Sequence, residues 1–369
     1  MDYDGMELAP SLARLYGTPD PPGVTLRKLK GDASSRAYYR LSVPNPGPAA
    51  PGSIIVMRLP EQAFGSDEAA GADPPPEELP FLNVRRLLAG RGLPVPAVFI
   101  EDLPRRLLLL EDLGDETFER RLHDRGPSAW PALYATAVDL LAEVHERCEA
   151  PAPDSLAHRR RFDRSLLRWE LDHFREWGLE ALHGPLPPAE RAELESLFDQ
   201  VAEAVAAQPE GFVHRDYQSR NLMWRAEGDL VIIDFQDALI GPRIYDLVAL
   251  LCDSYVPVGP ELQRAMVARY AERRGLATGA LETELGRQAV QRKLKDAGRF
   301  VFIDRVRGDP SFLPWYGPSL AYVGRALDRL STREPRGPWA ALRALLERHV
   351  PGFSTDVPSP PGGAGAGGR

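Results

Sequence analysis

Only two cysteines occur in 369 residues, Cys148 and Cys252, and neither belongs to a CxxC pair. A disulfide framework or a thiolate zinc site is therefore not expected, and a reducing, cytoplasmic setting is. No run approaches the ~20 apolar residues needed to cross a bilayer. The opening residues carry Asp2, Asp4 and Glu7 and lack the basic start and continuous apolar stretch of a secretory leader, so no membrane association is expected. Also missing is the positive surplus that binding nucleic acid needs. The net charge is −8, whereas neutralising phosphates takes a basic face. What the chain does have is 43% hydrophobic residues, enough at this length for one large domain or two lobes, each with a core of its own. A monomer is expected.

Three Pro/Gly-rich stretches read as loops or tails: Pro44–Gly52, Gly65–Pro76 and a flexible end from Pro351 to Arg369. Gly363, Gly365 and Gly368 in that end have the GxGxxG spacing of a dinucleotide fingerprint. No strand leads into them and no helix follows, so the spacing carries no such meaning. From Val24 to Asp112 the pattern is that of short strands: Val24–Leu29, Ala37–Val43, Ser53–Leu59, Ala97–Glu101 and Arg106–Glu111. One amphipathic helix is expected among them over Glu77–Ala89, with Leu79, Leu82, Arg86 and Leu87 near one face. After Gly114 helical periods dominate, near Trp130–Cys148, Phe162–Trp177, Pro188–Ala207, Pro260–Arg274, Leu281–Val306, Pro318–Leu330 and Trp339–His349. These readings give an α+β chain: a small, mainly antiparallel lobe over residues 1–112, a larger helical lobe over 113–350 and a tail over 351–369.

A single island of strands interrupts the helices, at Gly211–Val213, Leu222–Trp224 and Leu230–Ile233, and its polar residues explain its presence. The segment reads His214-Arg215-Asp216-Tyr217-Gln218-Ser219-Arg220-Asn221, and an apolar strand delivers Asp234 thirteen positions beyond Asn221. Phosphoryl transfer wants this layout. It needs a carboxylate against the acceptor hydroxyl and hard oxygen ligands for the magnesium ion on the nucleotide phosphates. Asp216 is accordingly the catalytic residue, as base or orienter, with Asn221 and Asp234 as metal ligands. His214 and Arg215 are read as structural, and Asp246 as a helix N-cap or a brace for the catalytic loop.

His214 through Asn221 with Asp234 resembles the aminoglycoside phosphotransferase and choline kinase-like superfamily, small-molecule kinases with the protein-kinase core. Adding Gly31-Asp32-Ala33-Ser34-Ser35 and Leu110-Glu111-Asp112-Leu113-Gly114, the chain from Val24 to Val256 is similar to the cell-wall-recycling kinases that act at the anomeric hydroxyl of N-acetylmuramate and N-acetylglucosamine. The resemblance implies a protein-kinase-like two-lobed fold, ATP and Mg²⁺ as cofactors, and a small-molecule sugar as the partner. It places Gly31, Asp32, Ser34 and Ser35 over the triphosphate and Glu111 and Leu113 at the hinge that meets adenine. Arg58 stands where the family has the lysine that pairs with the phosphates, its helical partner being Glu77 or Glu78. Arg keeps the charge on a longer, planar fork.

The acceptor side is read from charge and from one helix. Between Glu261 and Val350 there are 17 Lys and Arg against 10 Asp and Glu. An enzyme for polycationic aminoglycosides should be acidic there, so this surplus favours an uncharged or anionic acceptor. Substrate contacts are expected from Arg220, from Asp237 and from Glu170 with Trp177, which share a helix face with Phe174. A kinase of another small hydroxyl compound (an aminoglycoside, a choline-like alcohol or homoserine), or a nucleotide-binding protein without turnover, is the alternative.

Overall fold

The computed structural model describes residues 2–3, 6–29, 36–48, 50–60, 78–226, 228–353 and 355. Gly31, Asp32, Ser34, Ser35 and Glu77 lie outside the described residues. The chain divides into two units, Met1–Glu116 with Met223–Ile233, and Thr117–Leu222 with Asp234–Arg369. Among the described residues no helix is long and apolar enough to cross a membrane.

The first unit opens with a two-residue pair, β1 (Asp2–Tyr3) and β2 (Met6–Glu7), and helix α1 (Ala9–Tyr16). Its sheet comprises β3 (Thr25–Lys28), β4 (Ala37–Ser42), β5 (Ser53–Arg58), β6 (Val98–Asp102) and β7 (Leu107–Glu111), in the order β3-β4-β5-β7-β6. Every neighbouring pair runs antiparallel. Alternate residues of a strand share a face, and Tyr39, Leu41, Ile54, Val56 and Leu109 bury one such set against Leu8 and Leu12 of the α1 region. Each side chain of this size contributes about 1.5–3 kcal/mol when withdrawn from water. Helix α2 (Pro80–Gly90) is the one expected between β5 and β6. Its neighbour Glu78 accepts from Asn83 at 2.8 Å and pairs with Arg86.

Arg40 of β4 joins the sheet to the segment that leaves β7. Its guanidinium meets Asp112 at 2.7 Å and Asp115 at 2.9 Å. Burial alone would push the Asp112 carboxyl up, but hydrogen bonds from Arg40, Ser53 and the Gly114 amide outweigh it and hold the carboxyl low. Gly114 has φ +83°, a turn conformation that suits glycine.

The second unit is helical: α3 (Phe118–Arg125), α4 (Trp130–Arg147), α5 (Leu156–Arg159), α6 (Arg164–His173), α7 (Ala181–His183) and α8 (Pro188–Ala206) precede strand β8 (Glu210–Val213). The chain then returns to the first unit for most of a hairpin, β9 (Leu222–Trp224) and β10 (Leu230–Ile232). It continues through β11 (Leu239–Pro242), α9 (Tyr245–Leu251), α10 (Pro260–Arg274), α11 (Thr278–Arg307), α12 (Tyr316–Arg333) and α13 (Trp339–His349). The expected strand island is two separate pairs: β8 takes β11 antiparallel, while β9 and β10 pair with each other.

The helix expected over Phe162–Trp177 starts at Arg164, capped by the Asp163 carboxylate accepting from the Leu166 amide at 2.9 Å. It passes at Phe174 into a seven-residue π-helical turn, Phe174–Glu180. Helix α11 crosses here at contact distance. A Cβ on Gly298 would lie 2.7 Å from the Phe174 Cα, so only glycine fits.

Candidate active site

Residues 214–221 form the loop after β8, and one carboxylate sets its shape. Asp246, fully buried near the start of α9, accepts the backbone amides of His214 at 2.6 Å and Arg215 at 2.9 Å. His145 Nε2 lies 3.2 Å from the same carboxylate, and its Nδ1 is 2.6 Å from the Tyr270 hydroxyl. Asp246 is thus a brace for the loop and not an N-cap. With two amides fixed, Arg215 holds φ +84°, a left-handed conformation costly for a bulky residue. The cost, of order 1–3 kcal/mol, is offset by the Asp246 bond and by a buried pair of the Arg215 guanidinium with Glu170 at 3.1 Å.

The turn points Asp216 outward, leaving a third of its side chain exposed. Its own amide donates to His214 Nδ1 at 3.2 Å, so His214 steadies the loop backbone. Burial would push the Asp216 carboxyl up, but the charges of Lys295, Arg292 and Arg215 prevail and hold it below the ordinary carboxylate range. Arg292, from α11, is itself buried. It donates to the Arg215 carbonyl at 2.7 Å, approaches Asp216 Oδ1 at 3.4 Å and lies over the Tyr245 ring at 4.6 Å.

Asn221 donates its amide nitrogen to the Asp216 carbonyl at 2.9 Å and to Asp234 Oδ2 at 3.4 Å. With the amide nitrogen so engaged, the carbonyl oxygen is the hard donor that Asn221 can offer a cation. Asp234 has φ +64°, which Asp tolerates better than most residues. Gln236 donates to Asp234 Oδ1 at 2.8 Å and reaches Asp237 at 3.5 Å. Asp234 keeps an exposed edge, yet the protein around it displaces enough water, and Asp216 repels it enough, to push its carboxyl up. Asp216, Asn221 and Asp234 therefore converge in one unit.

Among the described residues no group of three or more His, Cys, Asp and Glu is gathered to hold a metal ion. Magnesium does not require one, because it keeps several waters and takes one or two carboxylates plus substrate phosphates. An amide oxygen and a carboxylate that is destabilised by its neighbour's negative charge fit that ion.

The expected acceptor residues separate. Glu170 is fully buried, with Arg215 on one oxygen and Gln291 donating to the other at 2.7 Å, so the expectation of a sugar contact is corrected to an internal brace behind the loop. Phe174 is core. Trp177 is half-buried, edge-on to Phe302 with ring centroids 5.3 Å apart. Arg220 is committed to Glu119 through two bonds of 2.8 and 3.1 Å and stacks on Tyr255 at 3.6 Å. Asp237 stays beside Gln236 and Asp234. In the first unit, Arg58 ends β5 opposite Leu107 of β7. The Glu111 carboxylate accepts from the Ala97 amide at 3.0 Å and pairs with Arg225 at 2.9 Å, and Leu113 follows half-buried.

Three contributors were not assigned to the site from the sequence: Arg292, Lys293 and Asp253. Arg292 and Lys293 belong to the basic segment that entered the sequence reading only as a charge surplus, and both are buried. Lys293 donates to Asp296 at 2.7 Å and to Ser254. Asp253 fixes the far end of the loop, accepting the Ser219 amide and hydroxyl at 2.9 and 2.6 Å.

A profile described as the phosphotransferase enzyme family matches residues 25–283. The N-acetylmuramate/N-acetylglucosamine kinase of Pseudomonas aeruginosa is 32% identical over 82% of this chain and 84% of its own. A protein of the same name from Caulobacter vibrioides is 31% identical over 89% and 93%. Among solved structures, a choline/ethanolamine kinase family protein from Mesorhizobium loti superposes with a TM-score of 0.55, covering 92% of this chain and 100% of that one at 16% identity. That likeness speaks to fold alone.

Proposed function

The chain belongs to the phosphotransferase enzyme family, and from that premise we propose that it transfers the γ-phosphoryl group of ATP to the anomeric hydroxyl of N-acetylmuramate or N-acetylglucosamine, giving the sugar 1-phosphate. The chain is an ATP-dependent kinase of a sugar hydroxyl with a protein-kinase-like fold. The observation that carries the reading is a carboxylate held ionised, Asp216, beside the oxygen donors Asn221 and Asp234.

Asp216 accepts the hydrogen bond of the sugar hydroxyl, aims its oxygen at the γ-phosphorus and takes the proton as the new O–P bond forms and the bond to ADP breaks. Asn221 and Asp234 hold Mg²⁺, which neutralises charge on the phosphates when bound. Asp246 and Arg292 keep the base in place. Arg58, Glu111, Leu113, Gly31, Asp32, Ser34 and Ser35 are assigned to the nucleotide, and Asp237 to the acceptor side. The positive surroundings of Asp216 suit an uncharged or anionic sugar better than a polycation.

Incubation of the chain with ATP, Mg²⁺ and either sugar, followed by phosphorus NMR, should give an anomeric phosphate. A phosphate on another hydroxyl, or no ADP release with either sugar, would refute the proposal. Asp234→Asn should weaken magnesium-dependent ATP binding by at least the ~10- to 100-fold that loss of even an outer-shell partner costs, read by titration calorimetry with and without the metal. The acid side of the kcat/KM profile should follow Asp234, whose carboxyl protonates first. Activity should fall as pH drops through a point above the ordinary aspartate value, and excess Mg²⁺ should move that point lower.

A further inference from the structure

Asp246 does not shape the catalytic loop unaided. Both of its oxygens already accept backbone amides, Oδ2 that of His214 and Oδ1 that of Arg215. The His145 Nε2 that lies 3.2 Å from Oδ2 therefore meets it as a donor, carrying a hydrogen. The other ring nitrogen, Nδ1, is 2.6 Å from the Tyr270 hydroxyl, a group that can give or take. Arg274, four residues on in α10, settles the direction. Its guanidinium faces the Tyr270 oxygen, and a guanidinium only donates, so the hydroxyl accepts there and keeps its one hydrogen for Nδ1. Burial pushes the Tyr270 hydroxyl up to about 12, and that hydrogen is present at neutral pH.

The bonds thus run one way, from α10 through α4 to α9 and on to the loop. An imidazole whose Nδ1 accepts carries its hydrogen on Nε2. His145, Asp246 and Tyr270 are at most 5% exposed, so a donor removed from this chain leaves a buried acceptor short. Helix α4 also holds the loop on the far side of the base, where the Tyr217 hydroxyl donates to the Ala137 carbonyl at 2.9 Å. Asp216 stands between the two ties.

We propose that His145 is a positioning residue for phosphoryl transfer: kept as the Nε2–H tautomer by Tyr270, it fixes the Asp246 carboxylate in the orientation that aims Asp216 at the acceptor hydroxyl. It touches neither the substrates nor the reacting atoms. The proposal rests on the reading of Asp216 as the base and adds that two helices distant in sequence, α4 and α10, set its aim.

The test compares His145→Leu, His145→Gln and Tyr270→Phe with the wild-type chain, each assayed with ATP, Mg²⁺ and both N-acetylated sugars. In His145→Leu, kcat should fall by ~10- to 100-fold, the scale of a small misplacement of a catalytic group, while the KM values for ATP and sugar stay near wild type. His145→Gln keeps an N–H donor within reach of Asp246 and should recover most of the loss. Tyr270→Phe preserves the packing and removes only the hydroxyl, and it decides the matter even if the leucine variant does not fold. There kcat should fall by ~2- to 10-fold, the range for one neutral hydrogen bond. Nitrogen-15 spectra of histidine-labelled protein should show one imidazole, missing in His145→Gln, with hydrogen on Nε2 and none on Nδ1. An unchanged kcat in Tyr270→Phe, a loss in His145→Leu that KM shares and glutamine does not mend, or a hydrogen on Nδ1 alone would overturn the proposal. Failure of the wild-type chain to phosphorylate either sugar would instead remove the reading of Asp216 as the base, and this proposal with it.

Discussion

Asp216→Asn is expected to lower kcat by ~10²–10⁴, the usual effect of losing a general base, while ATP affinity and the unfolding midpoint stay near their wild-type values. The amide is nearly isosteric, and the loop is shaped elsewhere: Asp246 holds the two amides before position 216, and Asp253 holds Ser219 after it. An asparagine still accepts from Arg292 through its oxygen, so the turn survives. What disappears is the capacity to take a proton. Stopped-flow or coupled ADP-release kinetics would measure the loss, and calorimetry the retained ATP binding. Turnover within a few-fold of wild type would show that Asp216 is not the base.

That residue was legible because its partners are local. His214, Asp216 and Asn221 occupy one loop, and the strand leading to Asp234 has a fixed rise per residue, so spacing reports geometry. The strands of the first unit and the long helices were legible for the same reason, since periods of 2 and 3.6 report which face is buried. Strand β11 was not, because Leu239–Pro242 is short, contains Gly241 and Pro242, and exists only by pairing with β8 about thirty residues earlier. The basic run on α11 was read by composition only as a surplus favouring an uncharged or anionic acceptor. No pattern within Arg292-Lys293-Leu294-Lys295 reveals that a carbonyl at position 215 and a hydroxyl at position 254 are waiting for two of its charges.

Glu170→Ala carries the second large effect, on stability. The substitution leaves the Arg215 guanidinium buried without its carboxylate and Gln291 without its acceptor. Removing one partner of a buried ion pair costs about 3–5 kcal/mol. In a unit of this size that corresponds to a fall in Tm of roughly 6–20 °C. Because Arg215 is also the strained residue before Asp216, kcat should fall with stability, whereas the sugar KM should change little. Thermal unfolding followed by circular dichroism, together with steady-state kinetics, would separate the two roles. A raised sugar KM at an unchanged Tm would return Glu170 to the acceptor site. Glu170→Gln, which keeps the shape and one acceptor oxygen, should lie between wild type and Glu170→Ala.

The contact between Gly298 and Phe174 has a reach beyond its own packing. Gly298 sits on the same rigid rod as Arg292 and Lys295, six and three residues away. A methyl group inserted there would act as a wedge, tilting the rod and carrying both cations off their marks, although nothing near the reacting atoms had been altered. The alignment of the chemistry is thus set partly from a distance, by the smallest residue in the chain.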